Sequence, residues 1–306
     1  DELMKYTEGT RKNYLSMLIA IAKCCEMEEN ENLFIEWFNE LRAKTAKPKV
    51  MTKKTIDKWI TFKQIKDTRK YYTEKFDSLI KSKSRHKRLL KRDEVDLVNF
   101  VVLMLYFSDC EKLSKAQNPP RRLEYANTVI RFLDENVKEE DWKELNGMDK
   151  DTNILWVNKK GMPVWWWFNN YKTKKHYGTY KVGINKRLKR VLNFYLKIKN
   201  ILPDDLKDLN KNKTWLLPKR NGDLISSNQL GQILKRTFYG NTQKMPTINT
   251  LRAIFTSEVF KHTPKTGLLK SMCKGMGNSL RIQMEYYRKG LNSNGTLKCE
   301  DIVSDD

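Results

Sequence analysis

The chain contains few of the side chains that carry proton transfer and metal binding in most enzymes. Only 3 of its 306 residues are histidine, and its 5 cysteines include no Cys-x-x-Cys pair. An odd number of cysteines without that spacing indicates neither a disulfide framework nor a zinc site. We therefore expect this protein to work in a reducing compartment and to hold no metal.

Long apolar runs are absent as well. No stretch approaches the roughly 18 to 20 apolar residues that a membrane-spanning helix requires, and residues 1–5 lack the basic start of a signal peptide. These absences predict a soluble, intracellular protein with no membrane partner that is not secreted. The chain starts at Asp1 rather than at Met, so we expect an upstream segment to be missing from it.

Acidic side chains are too few to balance the basic ones. Lysine and arginine number 60 against 37 aspartates and glutamates, which gives a formal net charge of +23. Such an excess favours a polyanionic partner, because lysine and arginine neutralise phosphates and release the counterions around them. With 39% hydrophobic residues, the chain can form one large or two ordinary domains. The composition predicts a globular protein that binds double-stranded DNA, and a ribosome-like basic protein is the alternative.

The first 80 residues have the apolar pattern of helices. Apolar residues recur at helical spacing near 14–22, 33–41 and 56–65, and Pro48 separates the second stretch from the third. This predicts an all-helical domain of about four helices over 1–80. Its aromatic residues are expected to form the core, and its basic residues to contact phosphates.

A strongly basic segment follows this helical part. Residues 81–92 contain 7 lysines and arginines and no acid. Such a run resists compaction, so it predicts a solvated linker between two domains. Between two DNA-binding domains, Lys87 and Arg88 in this linker are expected to contact the DNA backbone.

The remainder, 93–306, is predicted to be a mainly α domain with a small antiparallel β-sheet. An apolar helix begins at Asp93, and further helices are predicted over 185–200, 227–239 and from Asn249. Strands are predicted over 153–157 and 164–168, and residues 172–184 have the pattern of a strand, a turn and a strand. The basic residues of this hairpin and of the helix after it are the candidate DNA contacts: Lys174, Lys175, Lys186 and Arg187.

Four short motifs carry groups suited to phosphate chemistry. Asn118-Pro119-Pro120-Arg121-Arg122-Leu123-Glu124-Tyr125 places an arginine pair after a proline turn, and an arginine can direct two parallel donors to a phosphate. Tyr171-Lys172-Thr173 opens the basic hairpin. Asn249-x-x-Arg252 places an amide and a guanidinium three residues apart on a helix. Met276-Gly277-Asn278-Ser279 is followed by Tyr287, nine residues after Asn278.

In this order the motifs resemble those of the tyrosine recombinases, and most closely those of the divergent integrases of giant viruses and mobile elements. The resemblance implies a helical core-binding domain followed by a catalytic domain. It assigns the nucleophile to Tyr287 rather than Tyr286, because of the nine-residue spacing. It assigns the first arginine to Arg122 rather than Arg121, with Glu124 supporting it.

The resemblance also assigns the remaining groups of the site. Lys172 is the implied general acid, with Lys174 in reserve, and Arg252 is the second phosphate-binding arginine. Asn249 and Asn278 occupy positions where relatives often have histidine or, at the second position, tryptophan. An asparagine donates a hydrogen bond but exchanges no proton near neutral pH, so general-base help at Asn249 is not expected.

The implied activity is site-specific cutting and rejoining of DNA through a 3′-phosphotyrosyl intermediate, without metal or other cofactor. A type IB topoisomerase or a telomere resolvase would use the same chemistry, and a DNA-binding protein that has lost catalysis is the interpretation from a different class. The resemblance further implies a tetramer on two DNA sites. A C-terminal tail from about 290 is expected either to contact a neighbouring subunit, through Leu291, Leu297, Ile302 and Val303, or to be disordered.

Overall fold

The computed structural model describes residues 2–44, 53–83, 89–110, 119–133, 151–261, 266–284 and 288–289. Contacts between Cα atoms divide the chain into two compact units, Asp1–Val50 and Met51–Asp306. The smaller unit contains a short 3₁₀ helix, Glu2–Lys5, and two helices, α1 (Glu8–Cys24) and α2 (Glu28–Lys44), which pack against each other. The N-terminus of α1 is capped by the Thr7 hydroxyl, which accepts from the backbone N–H of Thr10.

Three further helices open the larger unit. They are α3 (Lys53–Ile56), α4 (Phe62–Lys83) and α5 (Lys91–Phe107), and the long α4 packs along α5. The Phe76 ring of α4 lies 5.0 Å from that of Phe100, centre to centre. The four helices predicted for the first 80 residues are therefore present, but the packing partners of α4 lie in the larger unit.

By contacts, the chain thus divides between Val50 and Met51 rather than within 81–92. A linker over 81–92 and a separate DNA-binding role for 1–80 stay predictions. Residues 84–88 of that segment, which include Lys87 and Arg88, lie outside the described residues.

A five-stranded sheet forms the middle of the larger unit. Its strands are β1 (Thr128–Phe132), β2 (Asn153–Val157), β3 (Pro163–Phe168), β4 (Tyr180–Gly183) and β5 (Thr214–Trp215), in the order β4-β3-β2-β1-β5. The prediction of a mainly α chain with a small sheet is confirmed, but the sheet is mixed, because β1 and β2 run parallel with Ile130 opposite Leu155. Strand β1 was not predicted. It is short and buried on both faces, so it shows no alternation of apolar and polar residues.

The predicted hairpin over 172–184 is only partly a hairpin. Strand β3 does pair antiparallel with β4, but a single helical turn, α6 (Lys174–Tyr177), replaces the first predicted strand. The backbone N–H of Gly178 donates to the carbonyl of Lys174 over 2.8 Å. Gly178 then ends the turn with φ of +64°, a conformation that glycine adopts without the steric cost of a Cβ.

The rest of the larger unit is helical. It contains α7 (Lys186–Ile198), a 3₁₀ helix (Leu206–Asn210), α8 (Ser227–Thr242), α9 (Ile248–Lys261), α10 (Thr266–Met276) and α11 (Leu280–Ile282). Side chains fix the starts of two of these helices. Asn185 accepts from the N–H of Leu188 at α7, and Ser226 and Gln229 form a reciprocal capping box at α8. The helices predicted over 185–200 and 227–239 are confirmed.

The apolar core surrounds both faces of the sheet. On β3, Trp166 belongs to the large cluster shared with the helices, whereas Trp167 belongs to a small cluster with Trp156 on the other face. Trp165 is 45% exposed. The tryptophan run is therefore mainly core, as predicted from the alternation of a strand. In the part of the chain that the structure describes, no helix is both long and apolar enough to cross a membrane.

We expect the larger unit to unfold cooperatively in alkali. Burial raises the pKa of the phenols of Tyr106, Tyr125 and Tyr195 above the ordinary tyrosine value. The stability that these neutral phenols contribute is complete below about pH 10, the pKa of an exposed tyrosine, and is lost as pH rises through their higher folded values. Phenolate absorbance and helical circular dichroism should therefore change together above that pH. Full ionisation of all 13 tyrosines with the helical signal intact would contradict this expectation.

Candidate phosphate-binding site

The first component of the site is Arg121, whose guanidinium group is enclosed by aromatic rings. Its central carbon lies 3.9 Å from the ring centre of Phe168, 5.0 Å from that of Tyr171 and 5.3 Å from that of Tyr180. These rings come from β3, from the segment after it and from β4. Because only 2% of Arg121 is exposed, the attraction between the cation and the ring faces acts without much screening by water.

One nitrogen of this guanidinium holds the end of α10. Nη1 donates to the backbone carbonyl of Gly275 over 2.6 Å. Nε and Nη2 of Arg121 are buried and have no hydrogen-bond partner among the described residues. Two strong donors of a buried cation are therefore available to an acceptor that approaches from outside the protein.

Arg252 reaches the next carbonyl along the chain. It lies on α9, a helix whose side chains from Thr250 to Ser257 are all buried, and it has no exposed surface itself. Its Nη2 donates to the carbonyl of Met276 over 3.1 Å. The two arginines thus bind neighbouring residues, although 131 positions separate them in the sequence.

The segment that both arginines hold is the 275–278 turn, defined here as residues 275–278 at the end of α10. Gly277 has φ of +66°. Its N–H donates to the carbonyl of Lys274, and the N–H of Asn278 donates to that of Cys273. This is the Schellman pattern of helix termination, in which a glycine takes the left-handed position. The carbonyl of Gly277 accepts from the Thr173 hydroxyl over 2.8 Å, so three successive carbonyls each receive a side-chain donor.

Asn278 closes this turn and is buried. Its Oδ1 accepts from Nε2 of Gln283 over 2.7 Å. Its Nδ2 is buried and has no hydrogen-bond partner within the described part of the chain. The amide therefore presents two N–H donors in addition to those of Arg121.

Lys172 immediately precedes Thr173, the residue that ties the β3–β4 connection to the 275–278 turn. The Lys172 side chain is exposed, as is that of Lys175, whereas Lys174 is half-buried. Asn249 is exposed in the first turn of α9, while Arg252 on the same helix points into the core. The structure thus places Lys172 beside the turn, and it separates Asn249 from Arg252 by burial.

Of the neighbouring arginines, the structure brings Arg121 rather than Arg122 to the 275–278 turn. Arg122 is half-buried, and its carbonyl accepts from the Tyr106 hydroxyl over 2.7 Å. No bond of its side chain to the turn occurs among the described residues. A signal for Arg121 exists in the sequence, because Glu124 follows it at a spacing of three and follows Arg122 at a spacing of two.

Glu124, Arg121 and Arg252 share an electrostatic environment around Tyr106. Burial is the main cause of the raised pKa of the Tyr106 phenol, the Glu124 carboxylate raises it further, and the two guanidinium groups lower it. Oε2 of Glu124 is buried without a hydrogen-bond partner in the described ranges. Glu124 therefore lies close enough to influence the charge of the site.

Tyr287 lies outside the described residues, but the chain on either side of it is held on α9. Gln283 accepts at its Oε1 from the Thr256 hydroxyl over 2.7 Å. The backbone N–H of Lys289 donates to the Ser257 hydroxyl over 2.7 Å. Both anchoring residues follow Arg252 by about one helical turn. The sequence patterns had not identified Thr173, Thr256 or Gln283, because only the fold brings these side chains to the turn.

The remaining predicted residues lie away from these contacts or are not described. Lys186 and Arg187 are exposed at the start of α7. Within the described ranges, no three side chains of the His, Cys, Asp and Glu types form a cluster that could hold a metal ion. The absence of a metal and of a cofactor from the reaction stays a prediction.

Comparisons with known proteins add little to this geometry. No protein-family profile matches the chain, and no curated protein matches its sequence. A solved structure described as "Crystal structure of XerA recombinase" is similar with a TM-score of 0.36 and 13% sequence identity. The similarity covers 68% of this chain and 60% of that one, which is less than two thirds of its length. At this level the likeness carries no argument about function, which has to come from the site.

The 275–278 turn provides a test of how tightly the site is packed. A Cβ at Gly275 would lie 2.6 Å from Cγ of Pro119, in a ring that cannot rotate away. We expect Gly275→Ala to lower the free energy of unfolding by about 1–3 kcal/mol, the usual cost of overpacking. Gly267→Ala on the same helix is the matched control, because a Cβ there meets nothing within 4 Å. Equal thermal unfolding of the two variants would show that Pro119 does not constrain the turn.

Proposed function

We propose that this protein is a tyrosine-type site-specific DNA recombinase, of the integrase kind, that cuts and rejoins DNA through a 3′-phosphotyrosyl intermediate. The observation that carries the proposal is the convergence of two buried arginines on one turn. Arg121 and Arg252 bind the carbonyls of Gly275 and Met276, and Asn278 in the same turn has a buried amide nitrogen without a partner in the described structure.

This arrangement suits a phosphate oxygen better than a neutral ligand. Buried donors that lack an acceptor are costly, and hydrogen bonds from a cation to an anionic oxygen are stronger than neutral ones. A phosphodiester would satisfy the free nitrogens of Arg121 and the Nδ2 of Asn278 together. The net charge of +23 favours the same partner, since it attracts the DNA backbone over a long range.

The proposed nucleophile is Tyr287. Its support is the nine-residue spacing from Asn278 and the anchoring of its neighbours on α9, beside Arg252. The phenol oxygen would form a bond to phosphorus as the bond to the 5′-oxygen breaks. Lys172 would donate a proton to that leaving oxygen as general acid, with Lys174 in reserve. A second 5′-hydroxyl then attacks the phosphotyrosine and restores a phosphodiester, so no metal or nucleotide is consumed.

The arginines would stabilise the charge that builds on the nonbridging oxygens. Donors fixed before the reaction contribute much of the rate in such sites, because they need no reorganisation. The sequence pattern selected Arg122 for this role. The bonds to the 275–278 turn favour Arg121, and we assign the role to it. Asn249 remains a proposed supporting donor, and Glu124 a group that orients the nearby guanidinium.

The proposed DNA contacts outside this site are Lys87, Arg88, Lys174, Lys175, Lys186 and Arg187. A tetramer on two DNA sites, with the tail from about 290 contacting a neighbour, belongs to the same proposal. A type IB topoisomerase or a telomere resolvase is the second candidate, because it needs the same turn, arginines and tyrosine. Joining of two DNA sites in vitro would favour the recombinase. Relaxation of supercoils without joined products would favour the topoisomerase.

Trapping on a nicked suicide duplex tests the nucleophile. The wild-type protein is expected to form a covalent adduct with the DNA, because the 5′-strand diffuses away and cannot reseal. Tyr287→Phe should abolish the adduct, and Tyr286→Phe is the matched control that should retain it. If the wild-type protein forms no adduct while it still binds the duplex, the protein is a DNA-binding protein without catalysis. If Tyr287→Phe still forms the adduct, the nucleophile assignment is wrong.

A comparison of the two neighbouring arginines tests the phosphate clamp. We expect Arg121→Ala to lower the rate of adduct formation by about 10²–10³, the usual effect of losing a preorganised donor. Arg122→Ala should lower it much less, because its side chain makes no bond to the 275–278 turn in the described structure. Arg121→Lys should also be strongly impaired, since lysine has no forked donors. The assay is single-turnover cleavage, with circular dichroism to confirm folding, and a larger loss for Arg122→Ala would reverse the assignment.

A further inference from the structure

Asn278 is the end of a chain of three buried side chains. The Thr256 hydroxyl donates to Oε1 of Gln283 over 2.7 Å, and Nε2 of Gln283 donates to Oδ1 of Asn278 over 2.7 Å. Thr256 and Gln283 have no exposed surface, and Asn278 is 2% exposed. We call these three residues the amide relay.

A methionine sulfur determines the direction of this relay. A hydroxyl donates or accepts, so Thr256 alone would allow either orientation of the Gln283 amide. The sulfur of Met276 lies 3.0 Å from Nε2 of Gln283, and a thioether accepts but cannot donate. The nitrogen of Gln283 must therefore face the sulfur, which leaves its oxygen for Thr256.

The orientation of Gln283 in turn sets that of Asn278. Because Gln283 presents a donor, Asn278 must turn its oxygen toward it. The Nδ2 of Asn278 then points away from the relay, and it has no hydrogen-bond partner in the ranges that the structure describes. The same residue ends the turn whose carbonyls bind Arg121 and Arg252. The relay thus adds a neutral donor with a fixed direction to a pair of cationic ones.

We propose that Thr256 and Gln283 are positioning residues that fix the amide of Asn278 with its N–H groups toward the reacting phosphate. The inference rests on the proposed function. An imidazole can supply a donor from either ring nitrogen by changing its tautomer or its charge. An asparagine has one donor end, and its oxygen would repel a phosphate oxygen, so the amide needs neighbours that exclude the wrong rotamer.

A set of variants tests this role through the chemical step. Thr256→Val removes the hydroxyl at nearly constant volume, and Thr256→Ser is the matched control that keeps it. Gln283→Met removes both amide bonds at similar length. We expect Asn278→Ala to slow single-turnover adduct formation by about 10², Gln283→Met to approach that loss, and Thr256→Val to have a smaller effect. Thr256→Ser should retain the wild-type rate, and affinity for an uncut duplex should change little in all of them.

A double variant distinguishes positioning from a structural role. If Gln283 acts through Asn278, then Gln283→Met should cause no further loss of rate in the Asn278→Ala protein. A merely structural effect would multiply the two losses and would lower DNA affinity and thermal stability with the rate. Multiplied losses, or a wild-type rate in Gln283→Met, would overturn the proposal.

Side-chain amide resonances provide a measurement that does not need activity. In protein labelled with ¹⁵N at glutamine and asparagine, the relay predicts slow hydrogen exchange of the Gln283 amide group and faster exchange in Thr256→Val. If the wild-type protein forms no adduct but shows this protection, the proposed function fails while the relay stands as structure. If the adduct forms and Gln283 exchanges like an exposed glutamine, the relay is wrong and the proposed function survives.

Discussion

The left-handed conformation of Gly277 is the constraint on which the candidate site depends. It ends α10 abruptly and turns three carbonyls outward from the helix axis, where they accept from Arg121, Arg252 and Thr173. These donors come from the proline loop before β1, from α9 and from the β3–β4 connection. A single helix terminus therefore joins segments that lie on different sides of the sheet. The unpaired carbonyls that every helix leaves at its end are here used to orient cations.

Packing enforces the same arrangement from the other side. Pro119 leaves no room for a side chain at Gly275, and the rings around Arg121 fill the space behind its guanidinium. The parallel pairing of β1 with β2 places the strand that follows Arg121 in the centre of the sheet. The first arginine of the site is thus positioned by rigid elements rather than by a surface loop, which favours a fixed donor geometry.

The sequence predicted the helices well and the site only in part. The helices α7 and α8 have strong caps and clear amphipathic patterns, so their bounds follow from local rules. Strand β1 and the turn α6 did not follow, since their conformation depends on burial and on partners far along the chain. The choice between Arg121 and Arg122 also needed the fold. Adjacent side chains point in different directions, and the turn that distinguishes them lies 154 residues away from Arg121.

The aromatic enclosure of Arg121 separates two electrostatic tasks. Water is removed from most of this guanidinium when the chain folds, so an arriving anion does not have to strip it. The exposed lysines, in contrast, attract a polyanion through solvent, where dissolved ions screen charges beyond about 8–10 Å. Rising ionic strength should therefore weaken the capture of the ligand long before it weakens the contact at Arg121. A protein built in this way keeps a dry, salt-resistant grip at one point of a surface that otherwise responds strongly to its ionic surroundings.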